Sequence, residues 1–291
     1  MLAQEFVDFE LVVVDDGSTD GSATLLDALA ARDARVRVLH QENRGLTLAL
    51  VRGCAAARGE FIARHDADDL SLPGRLARQT ARLQAAPDLA FVSCWSRVTG
   101  PRDELLFESR RPTDPAEAAC LLTQARTGPV HGSVMFRTDA YRRAGGYREA
   151  FRYAQDWDLW LRLIDVGGLA YEPAPLYEWR IDEHSLSAAR RSQQIRLRAL
   201  AAACRTARRR GASEDALLAE AARVSARPAS APGASDPGIS YFIGKCLLDR
   251  GDPRCLCYLR RARRERPWSL RPWLALLLAN RRLTRGTRQA E

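Results

Sequence analysis

The sequence predicts an α/β protein whose doubly wound sheet occupies residues 1–187, with a helical extension behind it. Three observations carry this expectation. The short apolar, β-branched run Phe9–Val14 stops abruptly at Asp-Asp-Gly-Ser-Thr-Asp-Gly, as a buried strand does when it delivers polar residues from its C-terminal end. Strand and helix patterns then alternate as far as Val98, which implies parallel strands with crossover helices. After Ser187 the composition turns to Ala and Arg.

The elements follow in order. Ser22–Ala31 has helical periodicity, Val36–Leu39 is a second strand, Thr47–Ala57 a second helix, and Gly59–Ala63 a third strand running into His65-Asp-Ala-Asp-Asp69. Pro73–Ala85 is a helix entered through proline, Leu89–Val98 a strand, and Gly128–Arg137 a strand or turn. Gln155–Asp165 carries Trp157, Leu159, Trp160, Leu161 and Leu163, so much of this helix is buried. The Pro, Ala, Ser and Gly stretch Arg227–Gly238 reads as a linker. Beyond it, Tyr241–Asp249, Arg254–Glu265 and Leu270–Leu283 form three short amphipathic helices punctuated by Gly251, Pro253 and Pro267, like a single copy of a helical repeat. The expected domains are 1–187, a helix and linker at 188–240, and a small basic helical tail at 241–291.

At 291 residues the chain is long enough for one large domain and an appendage. Its seven cysteines are odd in number and spread out, unlike a zinc site or a secreted disulfide framework. Met1–Glu10 contains three acids and no basic or apolar region of a signal peptide. The longest apolar stretch, Trp273–Ala279, is far short of the ~20 residues that cross a bilayer. A cytoplasmic location is expected. Residues 187–291 hold 22 Arg and one Lys against 8 acids, a charge of +15, while residues 1–186 carry −6. A basic tail of this kind suits peripheral contact with the anionic inner face of a membrane. Compositional bias explains the preference for Arg over Lys but not this asymmetry. Nucleic-acid binding is not expected, because the tail lacks the interleaved aromatics of single-strand binders.

Asp66, Asp68 and Asp69 place three carboxylates at a strand end, the donor type preferred by Mg²⁺ or Mn²⁺. Acidic clusters at such places also serve as solvated turns or helix caps. Context favours the metal. Asp8–Ser22 with its Val-Val-Val-Asp-Asp-Gly-Ser-Thr-Asp-Gly core, Glu42-Asn-Arg-Gly-Leu46, Arg58-Gly-Glu-Phe-Ile-Ala-Arg-His-Asp-Ala-Asp-Asp69 and Asp156-Trp-Asp-Leu-Trp-Leu-Arg162 occur in an order that resembles the inverting glycosyltransferases of family 2. The resemblance covers roughly residues 1–187. It implies the GT-A fold, a Rossmann-like mixed sheet flanked by helices.

The resemblance also implies roles. Asp16 accepts a uracil-type N–H, with Asp15 and Gly17 shaping the nucleotide pocket. Asp66 contacts ribose or a metal-bound water, and Asp68 is the direct ligand of a divalent metal, Mn²⁺ or Mg²⁺. Asp156 is the general base, and Trp157, Asp158 and His131 lie on the acceptor side. The partners implied are a nucleoside-diphosphate sugar, UDP-linked by the Asp16 reading, and a glycan or lipid-linked acceptor of surface polysaccharide assembly. The sequence departs from the family pattern at Gln155, where Glu is usual, at Val51, where Asn is common, and at Asp182, where His is frequent and His184 stands two residues on. The usual first apolar strand is not found ahead of Glu5, so a late start or a truncation is expected. Two alternatives stay open, a nucleotidyltransferase on the same fold and a truncated, non-catalytic binding or scaffold protein.

Overall fold

The computed structural model describes residues 1–181, 190–227 and 238–287, with side chains through 282. Asp182, His184 and nearly all of the Arg227–Gly238 linker lie outside the described residues. The chain forms two compact units. The first comprises Met1–Ser96, Arg110–Tyr177 and Ser192–Pro228; the second comprises Arg97–Ser109, Glu178–Arg191 and Ala229–Glu291. The boundaries at 187 and 240 expected from composition do not coincide with these.

In the first unit, β1 (Leu11–Asp16), α1 (Ser22–Arg32), β2 (Val36–Gln41) and α2 (Leu46–Ala56) alternate as the sequence predicts, and β1 pairs with β2 in parallel register, Leu11 opposite Val36. One expectation fails here. Val12, Val13 and Val14 are half-buried rather than buried, because among the described residues β1 pairs with β2 alone and α1 buries none of its residues.

A second sheet holds β3 (Phe61–Ala63), β4 (Leu70–Ser71), β5 (Leu89–Thr99), β6 (Leu105–Ser109), β7 (Met135–Arg137) and β8 (Gly168–Arg180), in the order β3-β7-β5-β8-β4 with β6 on β5. Strand β7 runs antiparallel to both β3 and β5, which makes the architecture mixed. Strand β5 is buried along nearly its whole length, as expected of a central apolar run. Strand β8 escapes notice in the sequence because Pro173 and Pro175 interrupt it.

The helices are α3 (Arg75–Ala85), α4 (Pro115–Thr123), α5 (Thr138–Arg143), α6 (Gln155–Leu163), α7 (Arg191–Arg209) and α8 (Asp215–Ser225). Helix α4 starts where Asp114 accepts from the Ala116 and Glu117 amides, followed by Pro115 at the first helical position. Helix α6 is buried at every position but Asp156, and its Trp160 stacks on Phe91 at 5.6 Å. In α7 the stripe Leu197, Leu200, Ala201 and Cys204 is buried and joins the same core as Trp157 and Trp160. Helix α7 therefore belongs to the first unit, although its Ala/Arg composition sets it apart in the sequence.

In the second unit, α9 (Ile239–Asp249), α10 (Cys255–Glu265) and α11 (Leu270–Thr287) surround a core that includes Ile243, Leu247, Leu259, Ala262, Ala275 and Ala279. Gly251 (φ +72°) ends α9 in the left-handed conformation, with the Asp252 amide closing onto the Leu247 carbonyl at 2.9 Å. All seven cysteines are free thiols. No helix among the described residues is long and apolar enough to cross a membrane.

Candidate active site

Three polar segments define the site: the loop after β1, the loop after β3 and the first turn of α6. In the first, Asp15 accepts from the Ser18 amide at 3.0 Å and faces His40 Nδ1 at 2.8 Å. The Ser18 and His40 contacts hold its pKa down at about 2. The other ring nitrogen of His40 meets Asp27 at 2.9 Å. Hydrogen bonds to Asp15 and then Asp27 raise the His40 pKa, since both nitrogens donate only in the imidazolium. Asp15 is therefore a buried brace of this corner.

Asp16 reaches across to the second sequence block. It accepts from Gln41 Nε2 at 2.7 Å, the Arg44 amide at 2.9 Å and the Gly45 amide at 2.8 Å. Burial pushes its pKa up, but the Arg44, Gln41 and Gly45 donors outweigh this and hold the carboxyl below the usual range. A carboxylate has about four lone-pair positions, so one is left for an incoming N–H. Gly17 sits at φ +76°, and a Cβ there would lie 2.7 Å from the Asn43 nitrogen. The close passage of the 42–45 loop is thus why this position is glycine.

The loop after β3 is held from beneath by a buried cation. Arg75, fully buried, donates to the Arg64 carbonyl at 2.7 Å, to Ser71 Oγ at 2.7 Å and to Gln79 Oε1 at 3.1 Å, with its guanidinium 4.8 Å from the Tyr177 ring centre. The Tyr177 hydroxyl donates to Asp69 at 2.7 Å and accepts from the Asp66 amide at 3.2 Å. His65 packs edge-on against the same ring, and burial followed by the Arg75 charge lowers its pKa to about 3. Gly132 closes the other side: a Cβ there would stand 2.5 Å from Tyr177 Cζ and 2.9 Å from Asp66 Oδ2. Gly132→Ala is accordingly expected to destabilise the protein by ~1–3 kcal/mol through overpacking, measured by urea denaturation. Unchanged stability would contradict this packing.

Arg64 is 6 % exposed. Its Nη1 pairs with Asp66 Oδ2 as an ion pair lacking hydrogen-bond geometry, and its Nε is buried without a hydrogen-bond partner among the described residues. Burial works against its charge, while Tyr147, Tyr177, Asp69 and Asp156 favour it. Asp66 is thereby engaged by Arg64, and Asp69 by Tyr177. Asp68 is exposed, and it makes no hydrogen bond or ion pair among the described residues. No group of three His, Cys, Asp or Glu side chains that could hold a metal comes together among the described residues. The donor set fits a hard cation bound through one protein carboxylate, with phosphate and water completing its shell.

Asp156 is the one residue of α6 that is half-buried rather than buried. Its Oδ1 accepts from the Trp157 amide at 2.8 Å. Burial raises its pKa despite that bond and the nearby Arg198 and Arg64 charges, so Arg64 links the loop after β3 to the start of α6. His131, in a single 3₁₀ turn, hydrogen-bonds the Tyr147 hydroxyl at 2.8 Å; burial and then Arg64 keep it neutral.

Two residues expected on the acceptor side are buried. Trp157 packs into the core, with the Arg198 guanidinium 4.9 Å from its ring centre. Asp158 is 1 % exposed and closes on Arg148 and on Arg162, the latter at 2.6 Å. Successive helix positions point about 100° apart, which takes 157 and 158 inward from Asp156. Tyr177, Arg75 and Tyr147 are site residues that the sequence reading missed. Arg64 stands within a recognisable block, but nothing local marks its burial.

The profile of glycosyl transferase family 2 matches residues 1–155. The chain is 33 % identical over 187 residues to the putative glycosyltransferase EpsE of Bacillus subtilis, covering 62 % of this chain and 66 % of that protein. It is 34 % identical over 210 residues to the succinoglycan biosynthesis protein ExoO of Rhizobium meliloti, covering 67 % and 58 %. The chain thus spans about two thirds or less of the length of these relatives. Among solved structures it resembles Staphylococcus aureus TarS residues 1–349 in complex with UDP-GlcNAc, with a TM-score of 0.55 and 15 % identity over 99 % of this chain and 85 % of that one. It also resembles a Pyrobaculum calidifontis mannosyltransferase in complex with GDP-Man and Mn²⁺, with a TM-score of 0.50 and 19 % identity over 94 % and 77 %. These likenesses establish the GT-A fold.

Proposed function

Since the chain belongs to glycosyl transferase family 2, we propose that it is a metal-dependent, inverting glycosyltransferase. It moves a sugar from a nucleoside diphosphate, UDP in the first instance, to a glycan or lipid-linked acceptor in surface polysaccharide assembly. The observation that carries this reading is that α6 buries every side chain except Asp156, and that Arg64 lies within electrostatic reach of both Asp156 and the loop holding Asp66, Asp68 and Asp69.

In this reading Asp16 offers its remaining lone pair to the base, and Gly17 keeps the pocket floor narrow. Asp66, oriented by Arg64 and Tyr177, faces the ribose side. Asp68 would hold a divalent cation, which when bound would neutralise charge developing on the departing diphosphate. Asp156 takes the proton of the acceptor hydroxyl as its oxygen bonds to the anomeric carbon; the bond from that carbon to the diphosphate oxygen breaks with its electron pair leaving on the diphosphate. A single displacement from the opposite face inverts the anomeric centre. A raised pKa suits a base that must hold a proton transiently.

The succinoglycan biosynthesis named for ExoO supports polysaccharide assembly as the setting. The two structural neighbours carry different nucleotides, GDP-Man and UDP-GlcNAc. Calorimetric titration of UDP and of GDP, with and without Mn²⁺, is the test. Binding of one nucleotide is expected only with Mn²⁺, and Asp68→Ala is expected to abolish that binding. Failure of the folded chain to bind either nucleotide would favour the non-catalytic alternative and sink the donor reading.

A further inference from the structure

Helix α11 carries two apolar stripes. Ala275, Leu276 and Ala279 face the core of the second unit and are buried. Leu270, Trp273, Leu274, Leu277 and Leu278 form the other stripe, spaced as i, i+3, i+4, i+7 and i+8. These five side chains are 46–75 % exposed, and Trp268, in the turn just before the helix, is 96 % exposed. Single exposed apolar residues are ordinary on protein surfaces, but a contiguous apolar stripe calls for something that covers it.

The charge around the stripe selects what that is. Residues 260–282 contain eight arginines, at 260, 261, 263, 264, 266, 271, 281 and 282, and one acid, Glu265. Glu265 is itself paired with Arg261 at 2.9 Å. Arg263 lies over the Trp273 ring, 4.6 Å from its centre, so cation and apolar ring are presented together. A second copy of this chain docked on the stripe would bring the same eight arginines against these eight, and like charges oppose that association. An anionic bilayer surface satisfies both features: the acyl boundary receives the leucines, the interfacial zone receives tryptophans, and arginines meet phosphate headgroups.

We propose that the outward face of α11, together with Trp268, docks in the plane of a bilayer surface that carries anionic phospholipid. The surface lies wholly within the second unit, so the proposal stands or falls apart from the donor reading.

The test is co-sedimentation of the full chain with large vesicles of phosphatidylcholine and phosphatidylglycerol in equal parts, beside vesicles of phosphatidylcholine alone, with tryptophan emission followed in parallel. The wild-type chain is expected to sediment with the mixed vesicles, with a blue shift in emission, and to bind the neutral vesicles at least ~tenfold more weakly. Leu274→Gln/Leu277→Gln/Leu278→Gln leaves the buried stripe intact, and it is expected to weaken partition into mixed vesicles at least ~tenfold at unchanged circular dichroism. Arg264→Gln/Arg266→Gln should weaken binding to mixed vesicles and leave neutral-vesicle binding alone. If the leucine variant loses helicity, Trp268→Ser, outside the helix, carries the same test. No sedimentation of the wild-type chain with mixed vesicles overturns the proposal, as does undiminished binding by the leucine variant. A dimer in vesicle-free solution that the leucine variant dissolves would assign the face to a second copy instead.

Discussion

Asp156→Asn is expected to lower turnover by ~10²- to 10⁴-fold, the usual contribution of a positioned general base, while nucleotide affinity stays as in the wild type. The same substitution is expected to raise thermal stability at neutral pH. Burial raises the pKa of Asp156 in the folded chain, so its ionised form is less favourable there than in the unfolded chain. Below the unfolded pKa the group is protonated in both states and costs nothing. As pH rises through the raised folded pKa the folded state loses stability, and Asn escapes that loss. Melting of both proteins near pH 4 and at pH 7 measures the effect: the gap in favour of the variant should widen at pH 7. The activity of the wild type should in turn fall away on the acid side at a pH above the range of an ordinary aspartate, because the base must be ionised to accept a proton. A variant that keeps wild-type turnover, or melts lower at pH 7, would remove Asp156 from the role of base.

Asp158→Ala, two positions along the same helix, should do the reverse. Asp158 neutralises Arg148 and Arg162 inside the protein, bonding Arg148 Nε at 3.0 Å and Arg162 Nη2 at 2.6 Å. Removing one member of a buried ion pair strands the others, with a typical loss of ~3–5 kcal/mol. Glu214 also pairs with Arg148, and Arg162 has the Ala144 carbonyl, so Arg162 is the more exposed to the loss. Urea denaturation measures the destabilisation, and specific activity per folded molecule measures what remains. The expected pattern is lowered stability with turnover intact. Lowered turnover at full stability would return Asp158 to the acceptor side, where its position in the family block had placed it.

These two neighbours show how far a linear reading reaches. The sequence by itself determined where the chemistry-bearing segments begin: Asp15 and Asp16 end an apolar run, Asp66 to Asp69 follow Phe61–Ala63, and Asp156 opens a helix rich in aromatic and aliphatic side chains. Such facts are local, because strand and helix periods and the residues that interrupt them depend on near neighbours in the chain. The four ordered blocks made the family legible for the same reason.

Only the tertiary structure decided which carboxylates remain available for chemistry. Asp15 is claimed by His40, Asp66 by the buried Arg64, Asp69 by Tyr177 at a separation of 108 residues, and Asp158 by Arg148 and Arg162. Asp16 retains part of its acceptor capacity, Asp68 is exposed, and Asp156 is half-buried. Tertiary packing likewise placed α7 in the first unit, through Leu197, Leu200, Ala201 and Cys204, where composition had separated it. The physical reason is common to all of these. A residue's element sets the direction in which its side chain leaves the backbone, whereas its charge state and availability depend on what it meets, and those partners come from parts of the chain that no local pattern connects.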